Sequence, residues 1–156
     1  MAKPISYLVG TYNETMALLI EAKNYAAYRS RDDQRLLPPD VQLQVTLESL
    51  RVTSRLTQIM AWLLMQRAVQ AGEITSQQAA RPEFAIYVVP ACWDSDGPED
   101  ESLPMGLRSL HDRSHRLYHR ALRLECQVNR SWQVQNKASP DPMAKWPLSH
   151  NTNKAD

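Results

Sequence analysis

A chain of 156 residues, 43% apolar and 22% charged, has the make-up of one globular domain, and a fold of that length buries roughly 70% of its unfolded surface, so one core suffices. The net charge of +1 excludes a global field that would draw the chain onto nucleic acid or anionic lipid. Cys92 and Cys126, without C-x-x-C spacing or a secretory leader, exclude a disulfide framework or zinc ribbon and point to the reduced cytoplasm, as does the lack of any run of about 18 apolar residues.

Four glycines and one phenylalanine, set against many alanines, leucines, glutamines and arginines, favour helix over sheet, because these side chains lose little freedom on a helix. The first helix is expected over about 7–29, where Leu8, Tyr12, Thr15, Leu19, Ala22 and Ala26 recur at alternating spacings of four and three. Ser30, Arg31, Asp32 and Asp33 then read as a connecting loop, and Pro38-Pro39 enforces an extended element before the next start.

The second helix, over 40–71, carries the strongest pattern. Leu43, Leu47, Leu50, Ser54, Thr57, Ala61, Leu64 and Ala68 alternate without a break up to Gly72, which stands at a C-cap position. A neighbouring stripe of Val45, Val52, Leu56, Ile59 and Leu63 widens the apolar arc, so this helix is expected to fill the space between two partners. Its length is ~48 Å at about 1.5 Å per residue.

Thr75 and Gln78 match a capping box, which predicts a short helix from Ser76 to Ala80 ending before Pro82. The stretch 82–102 loses periodicity: Phe84 to Val89 suits an extended segment, and Asp94, Asp96, Glu99, Asp100 and Glu101 make an acidic loop able to fold against basic surface. Leu103-Pro104 opens the third helix, over 104–132, with Leu107, Leu110, Ser114, Leu117, Ala121, Leu124 and Val128 in four-three order. The fold expected is all-α: an antiparallel three-helix bundle over 1–135 with a long central helix, then a flexible, proline-bearing tail over 136–156.

Chemistry is sparse. There is no Gly-rich phosphate loop, G-x-S-x-G elbow or H-E-x-x-H, and no cofactor is indicated. Ser54, Thr57 and Ser114 are the inward hydroxyls, and each suits a hydrogen bond to a carbonyl one turn back. His111, His115 and His119 recur every fourth residue and are the one metal-like signal, read as flanking the leucine stripe on a partly exposed surface. Arg108, Arg113, Arg116, Arg120, Arg123 and Arg130 make the third helix basic. Nucleic-acid binding is the alternative function this supports, although neither aromatic interleaving nor a reading module accompanies it, and a basic groove for acidic protein partners fits better. Arg51, Arg55, Gln58, Gln66 and Arg67 border the stripes of the long helix as either bridges within the bundle or partner contacts.

The run ESLRVTSRLTQIMAWLLMQRA over 48–68 resembles the signature helix of the RcdA (regulator of CtrA degradation) family. Leu103-Pro104, Leu107, Leu110, Ser114, Leu117-Tyr118, Arg120 and Arg123-Leu124 resemble the opening and body of that family's last helix, and Tyr12 to Tyr28 matches more weakly. Glu125 stands where the family pattern has aspartate, and neither the 82–102 loop nor the tail matches. The resemblance implies a non-enzymatic, homodimeric bacterial adaptor for the ClpXP protease in the cell cycle, concentrated at the cell pole. It would act with the CpdR-like response-regulator adaptor on substrates such as CtrA. The residues expected to meet partners are Arg51, Arg55, Gln66 and Arg67 on the second helix, and Arg116, Tyr118, Arg120 and Arg123 on the third.

Overall fold

The computed structural model describes residues 3–86 and 103–138, with side chains over 7–86 and 103–131. Within them the chain is helical and strand-free: α1 (Lys3–Asn24), a π turn (Tyr25–Arg29), α2 (Ser30–Gln34), α3 (Pro39–Ala71), α4 (Ser76–Ala79), a 3-10 turn (Pro82–Phe84) and α5 (Met105–Ala138). No helix among the described residues is long and apolar enough to cross a membrane.

The expected loop at Ser30–Asp33 is helix instead. Polar residues end a helix only when they compete for its backbone hydrogen bonds, and here the chain carries on through one wide turn closed by the Ser30 N–H on the Tyr25 carbonyl. Tyr25 is buried, and its hydroxyl donates to Asp33 Oδ2 at 3.1 Å. Helix ends at the prolines, which do impose a stop. Pro38 adopts φ −58°, ψ 153°, Pro39 takes the first helical position of α3, and the Pro38 carbonyl accepts the Gln42 N–H at 2.9 Å. Gly72 closes α3 with φ 75°, in the left-handed region that favours glycine.

The capping box at Thr75 and Gln78 forms as the sequence predicts, with the Gln78 N–H on Thr75 Oγ1 and the Thr75 N–H on the Gln78 amide. Pro104 precedes α5 and lends its carbonyl to the Arg108 N–H. That helix runs to Ala138, so residues 136–138, expected as tail, are helical. The segment 87–102, with its acidic loop and Cys92, lies outside the described residues, as does the tail from 139.

Ion pairs Arg113–Glu21 and Arg120–Glu14 set α5 antiparallel to α1. Arg67 at the far end of α3, over the Tyr12 ring near the start of α1, sets those two antiparallel as well. With α1 antiparallel to both, α3 and α5 run parallel, which is why a crossover rather than a tight turn joins them. The core takes Leu8 and Leu18 from α1, Val45, Val52, Leu56, Ile59, Trp62 and Leu63 from α3, and Leu107, Leu110, Leu117, Tyr118 and Ala121 from α5. Ile86 and Leu103 anchor the two described ends of the crossover. Each buried leucine, isoleucine or valine among them contributes roughly 1.5–3 kcal/mol through burial.

The long helix reverses one expectation. The stripe that faces the core is Val45–Val52–Leu56–Ile59–Leu63, whereas Leu43, Leu47, Leu50 and Leu64 of the longer stripe are 61%, 46%, 65% and 49% exposed. Two stripes half a turn apart cannot both face α1 and α5 when those helices sit on the same side of α3, so one of them is left outward.

Candidate partner-binding site

Four charged or titratable side chains gather inside the α3–α5 seam. His111 Nδ1 lies 2.8 Å from Glu48 Oε2, and Arg51 donates to the other Glu48 oxygen from the rim. Arg55, one turn beyond, is wholly buried. Burial, reinforced by the nearby Arg55 charge, pushes His111 below the ordinary histidine range despite Glu48. A neutral imidazole places its proton on Nδ1 and donates it to Glu48. Its Nε2 is buried without a hydrogen-bond partner among the described residues. Ser114, also buried, donates to the His111 carbonyl at 2.9 Å.

This corrects the placement of His111, which joins the core rather than flanking it. His115 and His119 are half-buried, with their Nε2 atoms 3.0 Å apart. Among the described residues no group of three or more His, Cys, Asp or Glu side chains comes together that could hold a metal ion. Of the other hydroxyls read as inward, Thr57 is exposed and bonds the Thr53 carbonyl at 2.8 Å, while Ser54 is half-buried beside Gln58.

Burial also divides the expected partner contacts. Arg55 and Tyr118 are 0% exposed and Gln66 is 4% exposed, so all three are interior supports that no partner can touch in this conformation. A full apolar ring and a guanidinium whose stem is as hydrophobic as a leucine fill a seam as readily as they fill an interface, so residue type alone does not tell the two apart. Arg51 is half-buried and paired with Glu48, and Arg67 is exposed over Tyr12 with its guanidinium carbon 4.9 Å from the ring centre.

The exposed members cluster on α5. Arg116, Arg120, Arg123, Gln127 and Arg130 follow at four-three spacing and all face solvent. Two α1 carboxylates meet this side: Arg113 Nη1 lies 2.8 Å from both Glu21 oxygens, and Arg120 bonds Glu14. Between α1 and α5 runs a groove of about 730 Å³ lined by Tyr7, Gly10, Glu14, Arg120, Arg123 and Leu124. Buried Thr11 and half-buried Leu124 lie among its lining residues, and Arg120, paired with Glu14, and Arg123 line its α5 side. Aromatic and aliphatic contact beside a guanidinium suits a protein segment carrying a carboxylate next to an apolar side chain.

Sequence reasoning missed Glu48 and the outward leucines. The signal for Glu48 was its position between Val45 and Val52 on the core stripe, and Arg55 sits seven residues on, in the same phase.

The family model described as "Protein of unknown function (DUF1465)" matches residues 5–146. No curated protein matches the chain. Among solved structures, the crystal structure of RcdA from Caulobacter crescentus CB15 is similar at 34% identity and a TM-score of 0.62, covering 78% of this chain and 89% of that one.

Proposed function

The chain belongs to the family described by the DUF1465 model and by RcdA, and on that footing we propose that it is a non-enzymatic adaptor that delivers cell-cycle regulatory proteins to the ClpXP protease. The observation that carries this reading is the α1–α5 groove, in which Tyr7 and Leu124 stand beside Arg120 and Arg123 on two packed helices. An adaptor performs no bond chemistry. It raises the effective concentration of a substrate at the protease by holding both, and modest contacts suffice when tethering makes the second encounter intramolecular. Partners of this class are ClpXP, a CpdR-like response-regulator adaptor and substrates such as CtrA.

Arg116, Arg120 and Arg123 supply the charge-bearing contacts, with Arg51 and Arg67 on α3 as the second set. The polar residues of the α3–α5 seam hold the helices in register, so that the rim is presented as a fixed surface. A nucleic-acid role is supported less well, because two arginines of the basic helix are matched by Glu14 and Glu21, which lowers the number of phosphates the face can neutralise.

The test is a reconstituted degradation assay with ClpXP, the CpdR-like adaptor and a fluorescent CtrA substrate. Addition of the full chain is expected to accelerate loss of substrate, and Arg120→Glu with Arg123→Glu is expected to abolish that acceleration while helicity is kept. An unchanged rate on adding the wild-type chain sinks the adaptor reading.

A further inference from the structure

His115 and His119 stand one turn apart on α5, are half-buried, and bring their Nε2 atoms to 3.0 Å. The two rings are held from both ends. His115 stacks on His111, which Glu48 fixes, with ring centres 6.1 Å apart, and His119 meets the ring of buried Tyr118 edge-on at 6.2 Å. A straight N–H···N bond between them would set the ring centres about 5.3 Å apart. They are 4.5 Å apart instead, with their planes at 87°. Lone pairs that converge on one point bring rings closer: two imidazole nitrogens bound at about 2.0–2.1 Å to a shared ion, and separated as these are, put the ring centres about 4.7 Å apart.

We propose that His115 and His119 form a two-histidine chelate for a divalent first-row metal ion. Their separation also selects the ion. Nitrogens 3.0 Å apart subtend about 95° at an ion about 2.05 Å from each, the angle between neighbouring ligands of a square-planar or octahedral site, whereas a tetrahedral ion would draw them to about 3.3 Å. Imidazole donors at that angle suit Ni(II) or Cu(II) before Zn(II). Each ring gives its Nε2 lone pair, and the ring that carries its proton on Nε2 moves it to Nδ1, so no proton is lost overall. Two protein ligands leave the remaining positions to water, in keeping with the lack of any metal-holding group of three or more His, Cys, Asp or Glu side chains among the described residues. The neighbouring cations oppose binding only weakly. Arg116 and Arg120 are exposed, Arg120 is paired with Glu14, and each stands about 100° round the helix from its histidine, where solvent and salt screen its charge.

Neither histidine lines the α1–α5 groove, so the test does not depend on the adaptor reading. It uses the full chain, stripped of metal with a chelator and carrying Cys92→Ser and Cys126→Ser so that thiols neither bind nor reduce the ion. Calorimetric titration with nickel chloride is expected to show one equivalent bound. His115→Ala and His119→Ala should each weaken binding by about tenfold or more, because the two linked ligands no longer act together, while His150→Ala should leave it unchanged. Nickel should raise the melting temperature of the parent chain and not that of either variant, and circular dichroism checks that each variant keeps its helices. Copper(II) gives an independent readout on the parent chain, whose electron paramagnetic resonance spectrum should show two imidazole nitrogens on the ion. A chain that binds no nickel, His115→Ala and His119→Ala variants that bind as tightly as the parent, or a copper spectrum with a single imidazole overturns the proposal. Two imidazoles on copper uphold it even where a variant misfolds.

Discussion

Glu48 on α3 and His111 on α5 meet at 2.8 Å with almost no solvent access to either side chain, a polar tie between two parallel helices in a seam that also holds buried Arg55 and Ser114. Removing one partner of a buried hydrogen bond costs more than the bond contributes, because the other is left unsatisfied. Glu48→Ala strands the His111 Nδ1–H and releases Arg51, and should lower unfolding stability by about 2 kcal/mol. Glu48→Gln keeps an acceptor oxygen and should lose less. Urea titration checks both, with the midpoint moving at constant slope; an unshifted midpoint for Glu48→Ala would show that the tie contributes nothing.

The same pair gives stability a pH dependence of definite sign. His111 faces Glu48, Arg55 and Asp112, and burial with the Arg55 charge places its folded pKa below the ordinary 6.5. The unfolded chain therefore binds the proton first as pH falls. The His111 contribution is fully present above about 6.5 and is lost as pH drops from there through the lowered folded value. Melting temperature should fall between neutral and mildly acidic buffer, and His111→Gln should flatten that part of the curve. A slope unchanged by His111→Gln would assign the dependence to other groups.

How much of this was readable in the sequence follows from what periodicity encodes. Alternation located the three long helices, because apolar spacing is fixed by helix geometry whatever the partner. It also fixed the inward face of α5, where one stripe alone is apolar and Leu107, Leu110, Leu117 and Ala121 are all buried. On α3 two stripes compete, and periodicity cannot rank them. The buried one is the β-branched stripe interrupted by Glu48 and Arg55, residues that look solvent-facing in the sequence; the partner of Glu48, His111, comes from a distant part of the chain. The rim arginines Arg116, Arg120 and Arg123 were legible as exposed because they stand off the only apolar stripe of their helix. Tyr118, beside that stripe, was not legible, since a tyrosine serves equally in a core or an interface.

Glu125 ties the crossover to α5. It is buried and accepts the Ile86 N–H at 2.9 Å, and burial raises its pKa despite that bond. A carboxyl with a raised folded pKa holds its proton longer in the native state, so its contribution is greatest at acid pH and is lost as pH rises from the ordinary carboxylate range through the raised value. Glu125→Gln keeps an acceptor for Ile86 without a buried charge. Its melting temperature should match or exceed the wild type at neutral pH, with the gap closing in acid. Glu125→Leu removes the acceptor and should cost about 1–3 kcal/mol at neutral pH. A Glu125→Gln variant as destabilised as Glu125→Leu would show that the carboxylate itself is required.

The rim arginines separate into two classes that charge reversal can tell apart. Arg113 and Arg120 are matched by Glu21 and Glu14, exposed pairs of the kind that contribute about 0–1 kcal/mol. Arg116→Glu with Arg123→Glu breaks neither pair, so its melting temperature should stay near the wild-type value. Partner affinity should nevertheless fall, and because rim charges act chiefly on encounter, the loss should appear in the association rate and shrink as salt is added. Arg113→Glu faces Glu21 across the α1–α5 seam and should lower the melting temperature while disturbing association less. Stopped-flow binding of the CpdR-like adaptor or an acidic substrate at two salt concentrations reads both quantities. Equal association rates for wild type and Arg116→Glu/Arg123→Glu at low salt would remove this rim as the docking surface, whatever the outcome for delivery.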